Sequence, residues 1–203
     1  MPPSAPCPSD EEVCSSLAAG DLAAFDQLYA RYSRRLLCFA AHMLGPEAAQ
    51  DVLQEVFVRV IQSAASFDRS RRFSTWVFAI AHHLCCNEQR QRRQRRQVAA
   101  VPFPEPAVAP PAGEDRLDRE SFRRRLLAEL ERLDPARRAT SLLRFEEGFA
   151  IDEIARIMGC PAGTVKSRLF YTARLLAERL QEFRPDAVEP DATRPLLEER
   201  RHG

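Results

Sequence analysis

The chain has 203 residues, 45% hydrophobic and 29% charged, a globular composition sized for one ordinary domain or two small ones. The start, MPPSAPCPSDEEV, has neither a basic head nor an apolar run, and the longest nearly apolar stretch, Leu36 to Leu44, is about half a membrane span. Export and stable membrane insertion are therefore not expected, and a cytoplasmic location is. The net charge of +1 hides a division: residues 1 to 68 hold four arginines against nine acids, whereas residues 69 to 97 hold eight arginines against Glu88 alone. A local excess of that size draws polyanions.

From Leu22 to Leu44, Phe25, Leu28, Tyr29, Tyr32, Leu36, Phe39 and Met43 recur every three or four positions, which predicts an amphipathic helix stopped by Gly45-Pro46. A second helix begins near Pro46, where proline suits a first turn, and carries Val52, Leu53, Val56, Phe57, Val60 and Ile61. The segment SFDRSRRF, short, polar and basic, reads as an exposed loop. A third helix follows from about Phe73, with Phe73, Trp76, Val77, Ile80 and Leu84 on one side, and runs into the arginines.

From Val98 to Gly113, five prolines fall among the ten residues Pro102 to Pro111; they remove backbone donors and predict a linker. A second helical block follows from Glu114 to about Phe183, then a loose tail. Neither strand alternation nor a glycine-rich phosphate loop is present, so the expected fold class is all-α: two small helical domains joined by a proline-rich linker. The boundaries read as 10–97, 98–113, 114–183 and 184–203.

Within the second block, Ile151, Ile154, Ile157 and Met158 form one apolar face, and Gly159 can take the left-handed conformation that ends a helix. Cys160-Pro161-Ala162 turns the chain. Beyond Gly163, Val165, Leu169, Ala173, Leu176 and Leu180 fall on one side of a longer helix. Its other side offers Ser167, Tyr171 and Arg174, flanked by Lys166, Arg168 and Phe170; Lys166 is the only lysine in the chain. A short helix, a tight turn and a longer helix with a basic outer face fit a helix-turn-helix whose second helix enters the major groove.

In order along nearly the whole chain, DVLQEVFVRV from Asp51, FSTWVFAIAHHLCCNEQRQRR from Phe73 and GFAIDEIARIMGCPAGTVKSRLFYTAR from Gly148 resemble the bacterial RNA polymerase sigma factors of the extracytoplasmic-function (ECF) subfamily of the sigma-70 family. The resemblance implies a region 2 helical bundle and a region 4 helix-turn-helix. It implies an alternative sigma factor, not an enzyme, that binds core RNA polymerase and directs initiation at promoter DNA through minus-10 and minus-35 elements. Relatives are commonly held inactive by an anti-sigma factor, so such a partner is expected here; no cofactor or metal is.

Carried over by position, Asp51, Val52, Leu53 and Gln54, with Glu55 and Arg59, match the family's contact to the polymerase clamp. The loop and helix from Phe67 match the part that grips one strand of the minus-10 element, which needs phosphate neutralisation and platforms for bases. Arg69, Arg71, Arg72, Arg90, Arg92 and Arg93 are candidates for phosphates, and Ser74, Thr75, His82, His83 and Asn87 for bases or backbone. Trp76 divides between core and base stacking, with its spacing favouring core. Thr164, Lys166, Ser167, Arg168, Phe170, Tyr171 and Arg174 match the minus-35 surface. Ala79 replaces an arginine often found in relatives, His82-His83 a small residue and an asparagine, and Tyr171 a basic residue.

The rival is a stand-alone helix-turn-helix regulator whose first domain senses a ligand or metal, with His82, His83, Cys85 and Cys86 as ligands. Adjacent pairs on one helix point in different directions and do not converge on one ion. The six scattered cysteines lack zinc-ribbon spacing, and no disulfides are expected.

Overall fold

The computed structural model describes residues 8–99 and 119–181, and within them every regular element is helical. In chain order these are α1 (Asp10–Ala18), α2 (Leu22–Leu44), α3 (Pro46–Ser63), a 3-10 turn (Ala64–Ser66), α4 (Phe73–Ala99), α5 (Arg119–Glu131), α6 (Pro135–Phe145), α7 (Ile151–Met158) and α8 (Ala162–Arg179). Helix α4 runs past the expected linker start at Val98, and the rest of the linker and the tail lie outside the described residues.

Helix α1 is an addition to the three helices expected in the first domain. Its signal is SDEE: the Ser9 hydroxyl accepts from the Glu12 N–H, and Glu12 Oε2 accepts from the Ser9 N–H at 2.8 Å. The helix ties three elements together. Asp10 pairs with Arg31 and accepts from the Tyr32 hydroxyl on α2, and Glu11 Oε1 accepts from the Phe73 N–H at 2.8 Å, capping α4 with a carboxylate.

Helices α2 and α3 reverse at Gly45, whose φ of +90° suits glycine, with Pro46 in the first turn of α3. Their buried sides, Leu28, Tyr32, Leu36 and Phe39 against Val52, Val56 and Val60, form the core of the first domain. Each such side chain fully buried contributes about 1.5–3 kcal/mol. Tyr29 and Ile61 sit at the edge of these stripes and stay exposed.

Helix α4 buries more than its expected stripe. Phe73 and Val77 pack inward as predicted, but Thr75, Phe78, Ala81 and Cys85 are also buried, more deeply than Ile80 and Leu84. The second domain accounts for part of the difference, because α7 packs along α4. Phe78 meets Phe39 of α2 edge-on at 5.7 Å and Phe149, which precedes α7, at 5.2 Å.

In the second domain, Asp134 caps α6 by accepting from the Ala136 and Arg137 N–H groups, and Pro135 fills the first turn. Gly159 ends α7 at φ +60°, ψ +38°, the left-handed cap read from the sequence. The buried stripe of α8 is Val165, Thr172, Leu176 and Leu180, with Leu169 half-buried. Ala173, expected on this stripe, is exposed; at 3.6 residues per turn Thr172 is the better continuation from Leu169. Glu129, 1% exposed, receives Arg132 and Arg179 at 2.8 Å each, with Arg125 at 3.8 Å, and so joins α5 to α8.

Two predictions follow from the packing. Glu129→Ala removes the common acceptor of these arginines, and a loss of about 3 kcal/mol in chemical unfolding is expected, the scale for breaking a buried ion pair. His82, on the side of α4 that meets the second domain, has its pKa lowered by burial and by the neighbouring positive charges of His83 and Arg168. The unfolded chain binds a proton near pH 6.5 that the folded chain resists, so the His82 contribution to stability falls as pH drops below about 6.5. Glu147, raised by burial, acts in the opposite sense as pH falls towards 4.5. Thermal unfolding of wild type and His82→Phe across pH 7.5 to 5 separates the two effects: the variant should lose less stability on acidification.

Candidate nucleic-acid interface

The outer face of α3 carries Asp51, Gln54, Glu55 and Val58 in the open, with Arg59 half-buried and ion-paired to Glu55 at 2.9 Å. Val52 and Leu53, placed with them by the resemblance, are each only 7% exposed and belong to the core; they orient this face and do not form its surface. The reason is the 3.6-residue period, which turns two of every four consecutive positions inward. Asp51 lines an open polar cleft between α3 and α4 together with Glu47, Glu88, Arg92 and Arg95.

The loop before α4 is ordered by Asp68, which accepts from the Ser70 N–H at 3.0 Å and the Ser70 hydroxyl at 2.7 Å. These bonds hold the Asp68 carboxyl below its usual range. Arg69, Arg71 and Arg72 are exposed on this loop, with Arg71 3.3 Å from Asp68. Trp76 lies half-buried against Phe67 and Phe73, at ring distances of 5.0 and 5.6 Å, as its spacing favoured. Ser74 and Asn87 are half-buried and His83 is exposed, whereas Thr75 is buried with no partner for its hydroxyl.

Further along α4, Arg90 and Arg93 are exposed. Arg92 is held differently: Nε donates to Glu88 at 2.8 Å and Nη1 to the Leu44 carbonyl at 2.9 Å. Gln89 donates to the Met43 carbonyl, so these two residues cap the C-terminal end of α2. A structural use of Arg92 was not legible, because nothing in the sequence says that α4 passes the end of α2.

On α8, Lys166, Ser167, Phe170, Tyr171 and Arg174 are exposed together, with the Phe170 and Tyr171 rings edge-on at 5.5 Å. The Ser167 hydroxyl donates to the Gly163 carbonyl, Arg174 pairs with Glu178 at 3.3 Å, and Thr164 is half-buried in the first turn. Arg168 is folded back, its Nη1 3.7 Å from Cys160 Sγ and 4.0 Å from Met158 Sδ.

His82 Nε2 and Cys86 Sγ meet at 3.5 Å, one turn apart, but among the described residues no three His, Cys, Asp or Glu side chains converge as a metal site would require. Burial pushes the Cys14 and Cys85 thiols up to about 11 and about 12, which keeps them protonated. Among the described residues no helix is long and apolar enough to cross a membrane.

Two family models match this chain: sigma-70 region 2 over residues 28–96 and sigma-70 region 4 over residues 123–171. The chain is 32% identical to the RNA polymerase sigma factor CarQ of Myxococcus xanthus, over 79% of this chain and 91% of that protein. It is 28% identical to the ECF RNA polymerase sigma factor BldN of Streptomyces coelicolor, over 84% of this chain and 66% of that one. Among solved structures it is similar to the sigma factor RpoE in complex with the anti-sigma factor NepR from Bartonella quintana. That likeness has a TM-score of 0.65 and 25% identity, over 79% of this chain and 98% of that one. With both sigma regions matched in order on an all-helical scaffold, the chain belongs to the extracytoplasmic-function sigma factors of the sigma-70 family, alternative sigma factors that bind core RNA polymerase and direct initiation at promoters.

Proposed function

We infer that this chain meets polymerase through the outer face of α3 and reads its promoter through α4 and α8, the two contacts divided between the two domains. The observation that carries this reading is the joint exposure of Lys166, Ser167, Phe170, Tyr171 and Arg174 on one side of α8, directly after a helix-turn-helix turn. Lysine and arginine there reach guanine edges or phosphates, serine bonds phosphate oxygens, and the aromatic pair offers apolar surface for sugars or thymine methyls.

At the other end, Arg69, Arg71, Arg72, Arg90 and Arg93 neutralise the phosphates of an opened minus-10 strand, and Ser74, His83 and Asn87 lie within the same run. Arg92 drops to a supporting role because its guanidinium is committed to Leu44 and Glu88. Asp51, Gln54, Glu55 and Arg59 supply a mixed charged rim for the polymerase clamp, with Val58 as an apolar contact. The units are 10–97 for core binding and minus-10 recognition, 98–113 as the tether and 114–183 for minus-35 recognition, with 184–203 as a tail. The protein acts in the cytoplasm, carries no catalytic activity or cofactor of its own, and is restrained by an anti-sigma factor, the kind of partner bound to the similar RpoE structure.

Reconstitution tests this function. Purified chain added to core polymerase should direct initiation from a promoter of its host; tight binding to duplex DNA as a dimer, with neither polymerase binding nor initiation, would instead establish the stand-alone regulator. Lys166→Ala should reduce initiation from a minus-35-dependent promoter about ten-fold, within the 1–3 kcal/mol scale of one good base contact, and leave core affinity unchanged. Asp51→Ala and Arg59→Ala should weaken core binding in a direct affinity measurement while preserving the helical spectrum.

A further inference from the structure

The last four carbonyls of a helix have no partner within it. In α2 all four are taken: Ala41 accepts from the Gly45 N–H at 2.8 Å, His42 from Arg138 Nη1 at 3.2 Å, Met43 from Gln89 Nε2 at 2.9 Å and Leu44 from Arg92 Nη1 at 2.9 Å. Two of these donors stand one turn apart on α4, and Arg92 also donates Nε to Glu88, one turn behind it, at 2.8 Å. The helix dipole further favours a cation at the C-terminal end of α2. Gln89 and Arg92 thereby fasten α4 to the end of α2 at two points.

That stretch of α4 has little else to hold it. Cys85 is fully buried, but from Cys86 to Arg95 every side chain is half-buried or exposed. The arginines also oppose the helix they form, because Arg90 and Arg93, like Arg92 and Arg95, are like charges three residues apart. At 1.5 Å per residue Arg93 stands about 12 Å beyond Cys85, far enough for a small change in helix direction to carry its guanidinium off a phosphate. Arg90 and Arg93 are exposed on a face about 100° round α4 from Gln89 and Arg92, so one pair holds the helix while the other is open to a ligand.

We propose that Gln89 and Arg92 are positioning residues for minus-10 recognition: fastened to the Met43 and Leu44 carbonyls, they fix the direction of the distal half of α4 and so place Arg90 and Arg93 against the phosphates of the opened strand. This rests on the assignment of α4 to that strand, and the two residues act through their neighbours without touching DNA. A helix end that frays between binding events loses its conformational freedom each time a strand arrives, which weakens binding; a fastened end has lost it already. The cleft between α3 and α4 shows the same division of the arginine run, since Arg92 and Arg95 line it beside Glu47 and Asp51, and Arg90 and Arg93 do not.

The test uses holoenzyme assembled from core polymerase and the full chain, with a labelled single strand spanning the minus-10 element of a promoter that it initiates from. Gln89→Leu with Arg92→Lys breaks the two-point fastening and leaves the formal charge unchanged. Gln94→Leu with Arg34→Lys makes the same exchanges at exposed sites and is the control. Arg93→Gln removes one phosphate contact directly. Affinity is measured against salt, because each phosphate contact on a single strand contributes about 0.7 to the slope of log K on log salt. Arg93→Gln should flatten that slope by about 0.7. The fastening pair should bind more weakly and flatten the slope by a similar amount without losing a charge, and Arg93→Gln added to it should then change little. The control should keep the wild-type slope. A wild-type slope and affinity in the fastening pair, a flattening no larger than the control's, or full additivity with Arg93→Gln overturns the positioning role. No effect of Arg93→Gln in the wild-type background instead removes α4 from the strand, and the proposal falls with that assignment. Circular dichroism checks helix content; if the pair loses helix, Gln89→Leu alone decides by the same readings.

Discussion

One aromatic ring holds the two halves of this protein in register. Phe78 is fully buried between Phe39 of α2 and Phe149 of the second domain, so α4 cannot be described as belonging to either half alone. A helix with one apolar stripe packs on one neighbour and gives its other sides to water. Helix α4 has two: Phe73 and Val77 are buried in the core of the first domain, and Phe78 meets Phe149 at the start of α7, which packs along α4. The consequence is that the basic helix assigned to the opened DNA strand is also the seam of the molecule.

The charges follow from that seam. Most ion pairs here are local, between residues three or four apart, and contribute little because water screens both partners. The pairs Arg35–Glu147 and Arg72–Glu153 differ, because each joins elements from opposite ends of the chain and each carboxylate is nearly covered. They supply orientation to an interface whose attraction comes from Phe78 and Phe149. Arg138 does comparable work beside them, donating to the Leu130, Glu131 and Leu133 carbonyls and to the His42 carbonyl at the end of α2. One guanidinium thereby satisfies the exposed end of α5 and touches the other domain.

The recognition helix shows how local rules and tertiary packing share a site. Gly159 and the spacing of Val165, Leu169 and Leu176 specify a helix-turn-helix whichever protein contains it. The same rules turn Lys166, Ser167, Phe170, Tyr171 and Arg174 outward together. Arg168 lies on the border of that face, and its placement against Cys160 and Met158 depends on what stands beyond the turn. Its charge also reaches His82 of α4, whose pKa it helps to lower.

By itself the sequence determined the helices, their stops at Gly45 and Gly159, the exposed faces of α3 and α8, and the concentration of arginine on one segment. These depend on residues within a few turns of one another, where the 3.6-residue period, proline in a first turn and glycine at positive φ act directly. It also held the Ser9–Glu12 signal for α1, a short capping pattern easily passed over beside longer apolar stripes. Only the tertiary structure decided that Arg92 caps the end of α2. It alone set Glu147 and Glu153 against Arg35 and Arg72, because such pairings link residues 81 and 112 positions apart. No local periodicity reaches that far; the choice among partners is made when whole helices find the arrangement that buries Phe78 from both sides.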